Sequence, residues 1–378
     1  MTNVSDATIQ PFRIDIPQAK LNDLTDRLIR TRWPNELPGV GNKYGIPLHD
    51  VKELADYWLT EYDWRKQEAI LNELPQFKTT IDGADIHFLH IRSTEPNALP
   101  LLLNHGWPGS ILEFLQVVEP LTNPRAHGGD PNDAFHLVIP SMPGYGFSGP
   151  TRETGWNVPR IASAYSELMN RLGYKKFGAH GGDFGSVVSL NLGQTDAEHV
   201  CGVHLNFLPM APPSDLSGFS EEDKARAAKL EHYLANPAGH MVIQSSRPQT
   251  LAYGLNDSPV GQLAWIAEKF SEWSDPAISI DRDLLLTNVM FYWLTETAAS
   301  SSRLHFESAA MKRQKKPCLV PLGIAVLPRD LFQPIRSWAE TQYDIVHWTE
   351  FDRGGHFAAM EVPELLVEDL RIFFRKLR

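Results

Sequence analysis

Apolar residues recur every three to four positions through the first 75 residues of the chain, which is the spacing of one face of a helix. This spacing predicts three helices, at residues 16–28, 47–60 and 64–74. From about residue 78 the pattern changes to short apolar runs typical of strands, separated by amphipathic stretches such as 158–172. The predicted strands are residues 84–91, 101–104, 135–139, 174–179 and 200–206. Alternation of this kind favours a mostly parallel sheet with helices on both faces.

A long, mainly helical stretch interrupts the alternation between residues 207 and 308, with helices predicted at 221–234 and 260–273. Strand patterns return at 319–327 and 344–349, and a terminal helix is predicted at 363–377. The pattern therefore predicts an α/β fold in three parts. These are a helical N-terminal segment at 1–77, a core formed by 78–206 and 309–378, and a helical cap inserted at 207–308.

The bulk composition narrows the class of protein. The chain has 378 residues, of which 42% are hydrophobic, and its formal net charge is −11. This length exceeds the roughly 250–300 residues at which a single core stops growing, so two lobes are expected. The densest basic run, at 312–316, is short and is interpreted as a solvated loop, so nucleic-acid binding is not expected.

Two features bear on the compartment. Cys201 and Cys318 lie in apolar, strand-like surroundings, which predicts buried free thiols in a reducing environment and not a disulfide. The first ten residues are polar, and no uninterrupted run of about 18 apolar residues occurs. We therefore expect a soluble cytoplasmic protein with no membrane partner.

The segment Gly181-Gly182-Asp183-Phe184-Gly185 lies between a strand-like run at 174–180 and a helix-like run at 186–192. A small-x-nucleophile-x-small pattern at such a junction is typical of a tight turn that pushes the central side chain out over the edge of the sheet. The central residue is usually Ser, whereas here it is Asp183, which is already ionised at pH 7 and needs no activating base. A carboxylate that attacks an acyl carbon gives an unstable anhydride, but on sp3 carbon it gives an ester that water can cleave. The sequence therefore predicts a substrate with a leaving group on sp3 carbon.

The run His-Gly-Trp-Pro-Gly at 105–109 directly follows the strand at 101–104. In an α/β hydrolase this loop supplies one N–H of the oxyanion hole. We expect the backbone amides of Trp107 and Phe184 to converge on one point. There they would stabilise the tetrahedral oxyanion that forms when water attacks the ester of Asp183.

An acid and a base are expected to follow the nucleophile, because α/β hydrolases place their triad in that order. His356, in a Gly-Gly-His-Phe loop just after the strand at 344–349, is the candidate base for the hydrolytic water. Asp330 follows an earlier strand and is preferred as the acid that orients His356. Asp352, four residues before the histidine, is the competing acid and is interpreted as a surface residue. The remaining histidines show no metal-ligand spacing, so no metal is expected.

These motifs together resemble the microsomal-type epoxide hydrolase family, and the resemblance covers nearly the whole chain. Its further motifs are Pro11-Phe12-Arg13-Ile14, Arg32-Trp33-Pro34, Pro143-Gly144-Tyr145-Gly146-Phe147-Ser148, Arg247-Pro248-Gln249-Thr250 and Asn256-Asp257-Ser258-Pro259. The resemblance implies an α/β-hydrolase core with a mostly parallel eight-stranded sheet, an inserted helical cap, and an N-terminal segment that wraps the core. It also implies cofactor-independent chemistry, in which Asp opens an epoxide to a hydroxyalkyl ester and a His-activated water releases a vicinal diol.

The chain departs from this family at one point. Members usually present two cap tyrosines that hold and protonate the epoxide oxygen, and the matching positions here are His240 and His305. One interpretation is that one or both histidines act as the ring-opening donor. The other is that the donor lies elsewhere, for example at Tyr253 or Tyr292.

The leading hypothesis is thus an epoxide hydrolase that acts on a small-molecule epoxide. A haloalkane or fluoroacid dehalogenase, or an epoxide-opening cyclase, would use the same Asp and His apparatus. Dehalogenases commonly carry Trp after the nucleophile, where this chain has Phe184. A catalytically silent hydrolase fold used for binding is a third alternative, which the presence of Asp183, Asp330 and His356 disfavours. The identity of the epoxide and the formation of a homodimer are left open.

Overall fold

A single nine-stranded sheet is the centre of the molecule, in a computed structural model that describes residues 8–235, 238–309 and 317–378. The strand order is β1-β2-β3-β5-β4-β6-β7-β8-β9. The strands are β1 Gln10–Phe12, β2 Gln76–Ile81, β3 Ala84–Ile91, β4 Leu99–Asn104, β5 Phe135–Pro140, β6 Phe177–Gly181, β7 Val200–Leu205, β8 Leu322–Val326 and β9 Ile345–Glu350. The basic run at 312–316 lies outside the described residues.

The sheet is mostly parallel, as predicted. Strands β5, β4, β6, β7, β8 and β9 pair in parallel, and only the pairs β1–β2, β2–β3 and β3–β5 are antiparallel. The expectation of eight strands is wrong by one. The sequence located seven strands and did not predict β2 or β1, which pairs Gln10 with Lys78 at the edge of the sheet. With three residues it is too short to show the period-two alternation that marks a strand in a sequence.

Helices occupy most of the remaining described residues. They are α1 Gln18–Ile29, α2 Leu48–Thr60, α3 Trp64–Leu71, α4 Leu115–Thr122, α5 Val158–Arg171, α6 Asp183–Thr195, α7 Glu221–Ala235, α8 Gly239–Ser246, α9 Pro248–Asp257, α10 Pro259–Trp273, α11 Arg282–Thr295, α12 Ala298–Ala309, α13 Arg336–Ala339, α14 Ala358–Glu361 and α15 Pro363–Arg375. Helices α7 to α12 lie between β7 and β8, the region in which the cap is predicted. None of the helices in the described residues has the length and the apolar character needed to cross a membrane.

Helix α5 illustrates how the local sequence sets an element. Asn157 caps its first turn by accepting a hydrogen bond from the backbone N–H of Arg160. Apolar side chains at helical spacing, among them Ile161, Tyr165 and Leu168, are buried against the core. The helix ends just before Gly173, whose φ of +84° favours glycine.

The N-terminal segment is bonded to the region between β7 and β8. The Tyr57 hydroxyl donates to Asp283 Oδ1 at 2.9 Å, and the Tyr62 hydroxyl lies 3.0 Å from Thr287 Oγ1. Lys20 Nζ donates to the carbonyl of Leu294 at 3.0 Å. Helices α1 to α3 therefore hold α11 in place over the core.

Both cysteines are free thiols. Cys318 is buried, whereas Cys201 on β7 is only partly buried, and burial raises the pKa of the Cys201 thiol to about 11.

Candidate active site

Asp183 stands at the turn between β6 and α6. Its φ of +46° is in the left-handed region, which is unusual for a residue with a side chain. The turn is tight because a Cβ on Gly181 would lie 2.3 Å from the backbone of Gly185, and a Cβ on Gly185 would lie 1.9 Å from the carbonyl oxygen of Asn104. Only glycine fits at both places, so the backbone lifts Asp183 over the sheet edge. The Asp183 side chain keeps 20% of its surface accessible.

Two backbone amides meet at this carboxylate. The N–H of Trp107 donates to Asp183 Oδ1 at 2.9 Å, and the N–H of Phe184 also donates to the carboxylate. Gly106 permits the approach, because a Cβ there would lie 2.3 Å from Asp183 Oδ1. The two amides predicted to form the oxyanion hole thus both donate to the carboxylate of Asp183.

His356 lies between two carboxylates. Its Nδ1 is 2.7 Å from Asp330 Oδ1 and its Nε2 is 3.4 Å from Asp183 Oδ2. Because Nδ1 faces a carboxylate, it carries a proton and donates it. Nε2 has no hydrogen-bond partner among the described residues, so it is available to a small molecule next to Asp183. The structure therefore brings the predicted nucleophile, base and acid together.

The charges in this group of three shift each other's pKa. Burial favours neutral His356, but the charge of Asp330 and the contact with Asp183 outweigh it and raise the pKa of His356 well above its usual value. Burial likewise favours neutral Asp183, but the close contact with His356 and its charge, with the two amides, lower the pKa of Asp183. Both shifts favour a protonated His356 beside an ionised Asp183.

The loop that carries His356 is fixed from both sides. The His356 N–H donates to the carbonyl of Trp273 at 2.8 Å, and a Cβ on Gly355 would lie 2.5 Å from that carbonyl oxygen. From the other side, Glu361 accepts from the N–H groups of Gly355 and Phe357 at 2.9 Å each. The end of α10 and the short helix α14 therefore set the position of the imidazole.

The competing acid lies elsewhere. The side chain of Asp352 is 80% exposed and pairs with Arg353 at 3.0 Å. Asp330 is buried, and its Oδ1 also accepts the backbone N–H of Leu331 at 2.7 Å. This geometry favours Asp330 over Asp352 as the partner of His356.

His240 and His305 both contact Trp107 in the loop at 105–109, called the oxyanion loop below. The His240 ring stacks on Trp107 with 5.0 Å between the ring centroids, and the His305 ring meets Trp107 edge-on at 5.6 Å. His305 also packs edge-on against Phe184 at 4.8 Å. Burial lowers the pKa of His240 to about 3 and that of His305 to about 4, so both rings are neutral at pH 7.

The two alternative tyrosines are placed differently. Tyr253 is 72% exposed on α9. Tyr292 is buried, but its hydroxyl donates to the carbonyl of Gly109 at 2.6 Å. Neither hydroxyl is both buried and free to donate to a ligand.

The sequence did not single out Glu113. Its carboxyl packs against the oxyanion loop, where a Cβ on Gly109 would lie 1.5 Å from Glu113 Oε1. Burial, together with the nearby negative charge of Asp183, raises the pKa of Glu113 to about 8. The sign of Glu113 in the sequence is Gly109, four residues earlier. A side chain at position 109 would collide with the Glu113 carboxyl, so this position requires glycine.

A second histidine cluster was also not predicted. His204, His347 and Asp369 place potential metal-ligand atoms within 4.8 Å of one another, although their sequence spacing gives no sign of it. His204 Nε2 is 2.8 Å and His347 Nε2 is 2.6 Å from the Asp369 carboxylate. Each imidazole is thus satisfied by the carboxylate, and the cluster ties β7 and β9 to α15 as a buried hydrogen-bond network.

Two family models and several known proteins match this chain. Residues 9–114 match the family "Epoxide hydrolase N terminus", and residues 100–262 match the family "alpha/beta hydrolase fold". A protein of Stigmatella aurantiaca is 46% identical over 377 residues, which cover 98% of this chain and 86% of that protein. "Epoxide hydrolase 1" of Oryctolagus cuniculus is 36% identical, with 97% of this chain and 89% of that protein covered.

Solved structures extend the match to the fold. The structure of Aspergillus niger epoxide hydrolase superposes with a TM-score of 0.89 at 33% identity, and covers 99% of this chain and 98% of that chain. Sequence and fold thus match over nearly the full length. The chain belongs to the microsomal-type epoxide hydrolase family and is a hydrolase of the α/β-hydrolase fold.

Proposed function

We propose that this protein hydrolyses an epoxide to a vicinal diol through a covalent ester of Asp183. The observation that carries the proposal is the arrangement at residue 183. The Trp107 amide donates to Oδ1 of this carboxylate, the Phe184 amide donates to the same carboxylate, and Oδ2 lies 3.4 Å from the Nε2 of His356. An ionised carboxylate next to an imidazole suits attack on sp3 carbon followed by hydrolysis of the ester.

The two oxygens of Asp183 take different roles. Oδ1 is held by the Trp107 amide, so Oδ2 is the oxygen that bonds to the epoxide carbon while the carbon–oxygen bond of the ring breaks. Oδ1 then becomes the carbonyl oxygen of the ester and is already in the oxyanion hole. When water attacks the ester carbon, the negative charge forms on Oδ1, where the two amides stabilise it by roughly 3 kcal/mol each.

The electron pair of the broken bond moves to the epoxide oxygen, which needs a proton. The resting imidazolium of His356 supplies that proton, and the ester then leaves His356 neutral. Esterification also removes the charge of Asp183, one of the two carboxylates that raise the pKa of His356. His356 is thereby prepared to take a proton from water in the second step, while Asp330 holds its Nδ1–H.

His240 and His305 take the place of the family's tyrosines as neutral hydrogen-bond donors to the epoxide oxygen. This role is supported by their contacts with Trp107 and by the burial of both rings. A neutral imidazole N–H stabilises a developing alkoxide without transferring its proton.

A single turnover in ¹⁸O-labelled water tests the ester route, with styrene oxide as the probe. We expect the label to appear first in the Asp183 carboxylate, read by mass spectrometry of the peptide, because water attacks the ester carbon. Label in the diol of the first turnover would mean direct attack of water on the epoxide.

The variant His356→Gln tests the second step. It should form the adduct with styrene oxide more slowly, because the proton donor of the first step is lost, and release it more slowly still, by at least about a hundredfold, because no base activates the water. Intact-mass measurement would detect the accumulated adduct. His49→Gln is the matched control, since the side chain of His49 is 81% exposed, and it should accumulate no adduct. Rapid release from His356→Gln would exclude His356 as the base.

The aromatic side chains near His240 and His305 bear on the class of substrate. Trp107 contacts both His240 and His305, Trp273 contacts His240, and Trp265 packs against Trp107, which supports an apolar or aromatic epoxide. A screen of styrene-oxide-like, aliphatic and polycyclic epoxides beside haloacids, scored by diol or halide release, separates the epoxide hydrolase from a dehalogenase. The net charge of −11 and the free thiols support a cytoplasmic enzyme that acts on small molecules and not on nucleic acid.

A further inference from the structure

Helix α11 reaches the oxyanion loop with two buried side chains, Asn288 and Tyr292. They are four residues apart, so they project from the same side of the helix. Asn288 Nδ2 donates to the carbonyl of Pro108 at 2.7 Å, and the Tyr292 hydroxyl donates to the carbonyl of Gly109 at 2.6 Å. The two residues that follow Trp107 therefore each have their carbonyl held by a side chain of α11.

The direction of both bonds is set by the groups that form them. A carbonyl oxygen only accepts, so the Asn288 amide must present its nitrogen to Pro108. The amide oxygen then faces Ser110, whose hydroxyl donates to Asn288 Oδ1 at 2.7 Å. Burial raises the pKa of the Tyr292 hydroxyl well above its usual value, so this hydroxyl keeps its proton and remains a donor. Both side chains thus hold the loop as donors.

The peptide group that carries the Trp107 N–H is held at its other end by His105. The carbonyl of this planar group belongs to Gly106. The N–H of Met142 donates to His105 Nε2 at 3.0 Å, so the neutral ring carries its proton on Nδ1, which lies 2.9 Å from the Gly106 carbonyl oxygen. Burial lowers the pKa of His105 to about 4, so the ring is neutral at pH 7. A contact within the loop therefore holds the peptide group before Trp107, and α11 holds the residues after it.

The Trp107 N–H has to keep its direction through both steps of the reaction. In the resting site it donates to Asp183 Oδ1 at 2.9 Å. In the proposed mechanism it also faces the negative charge that forms on Oδ1 when water attacks the ester. A donor stabilises such a charge most when it is aimed at that position in advance. Bonds that restrict the loop therefore bear on the second step.

We propose that Asn288 and Tyr292 are positioning residues: by holding the carbonyls of the next two residues, they keep the Trp107 N–H aimed at the oxyanion. The proposal rests on the proposed function for its kinetic consequence, whereas its structural part concerns the resting enzyme alone. Both side chains act through the loop, because the loop carbonyls take up their donor groups.

Two variants remove these bonds in different ways. Tyr292→Phe removes the hydroxyl and keeps the ring. Asn288→Leu keeps a side chain of similar size and removes the N–H that Pro108 accepts. A folding defect in one variant leaves the other as a test. Tyr44→Phe is the matched control, at a residue that is 80% exposed.

The Trp107 amide can be observed without substrate. In protein labelled with ¹⁵N in tryptophan, the backbone signal of Trp107 is assigned by its loss in Trp107→Phe. A hydrogen bond to a carboxylate moves an amide proton downfield, so this signal reports the bond to Asp183. We expect an upfield shift and faster hydrogen exchange of this amide in Tyr292→Phe and Asn288→Leu, and the wild-type signal in Tyr44→Phe. A folded variant of Tyr292 or Asn288 that keeps the wild-type signal would overturn the role of the residue it replaces.

The two steps of a single turnover with styrene oxide should respond differently. Asp183 loses its charge when the ester forms, so a weaker bond to Oδ1 should change the rate of adduct formation less than about twofold. Charge forms on Oδ1 in the second step, so release of the adduct should slow about tenfold in both variants. Tyr44→Phe should leave both rates unchanged. Equal slowing of both steps would indicate a general disturbance of the site, and unchanged release despite a shifted amide would show that the loop needs no such support. Either result would overturn the proposal.

These readouts separate the two proposals. If the variants shift the Trp107 amide but the wild type opens no epoxide, the proposed function fails and the structural part of the positioning role stands. If the wild type hydrolyses epoxides while the Trp107 signal is the same in both variants, the positioning role fails and the function stands.

Discussion

At the scale of single residues, two carboxyl groups in the same enclosed site carry opposite pKa shifts. Asp183 is buried but contacts an imidazolium and two amides, which lower its pKa. Glu113 is partly buried near Asp183, and desolvation raises its pKa to about 8, although the charge of His356 opposes the effect. The partners of each group therefore decide its charge, and a sequence motif does not reveal those partners.

Glu113 makes stability depend on pH. A carboxyl whose pKa is raised in the folded chain contributes stability that is complete below about pH 4.5 and is lost as the pH rises toward 8. Glu113→Gln keeps the shape and removes the titration. Relative to the wild type, the variant should gain on the order of 3 kcal/mol in free energy of unfolding between pH 5 and pH 8.

Urea denaturation of both proteins at the two pH values measures this difference. Glu231→Gln, a change of the same kind at an exposed position, should show no such gain. A Glu113→Gln variant whose stability relative to the wild type is the same at both pH values would contradict the raised pKa.

At the scale of elements, the catalytic histidine depends on contacts between a loop and a helix end. The carbonyl of Trp273 at the end of α10 accepts the His356 N–H, and Gly355 leaves room for that carbonyl. The Gly-Gly-His-Phe motif predicted a loop that could carry the imidazole. It could not predict that α10 presses on the loop, because that contact joins residues 83 positions apart.

Gly355→Ala should therefore disturb the active site, although Gly355 is not one of the three residues Asp183, Asp330 and His356. The new Cβ would lie 2.5 Å from the Trp273 carbonyl oxygen, so either the loop or the end of α10 must move. We expect a loss of roughly 2 kcal/mol in stability and a fall of about tenfold or more in kcat. Gly254→Ala is the matched control, because Gly254 lies within α9 with open space at its Cβ position. It should raise stability by about 0.5–1 kcal/mol without loss of activity.

At the scale of the whole molecule, the N-terminal segment contacts both the sheet and helix α11. Strand β1 extends the sheet, while the hydroxyl groups of Tyr57 and Tyr62 bond to α11. Helix α11 in turn reaches the oxyanion loop, since Asn288 Nδ2 donates to the carbonyl of Pro108 at 2.7 Å. The segment thus contributes to the position of the site without contacting it.

Removal of both hydroxyls tests this link. The double variant Tyr57→Phe/Tyr62→Phe should lose about 1–3 kcal/mol of stability, since each lost bond leaves a partner unsatisfied. Exchange of the backbone amide hydrogens of α11 should become faster under native conditions, because the helix opens locally while the rest of the chain stays folded. Tyr44→Phe, at a residue that is 80% exposed, is the control and should leave exchange in α11 unchanged. Protection of α11 that equals the wild type in the double variant would show that these bonds do not hold the helix.

The sequence by itself determined the features that depend on neighbouring residues. The elbow at Asp183, the loop before Trp107, the loop of His356 and the alternation of strands and helices are all local patterns, because turn geometry and the burial of one face act over a few positions. Only the tertiary structure decided the strands β1 and β2, the neutral state of His240 and His305, the raised pKa of Glu113 and the contact between Trp273 and the loop of His356. Pairing at a sheet edge, desolvation and the direction of a hydrogen bond all depend on groups that are distant in the chain and adjacent only after folding.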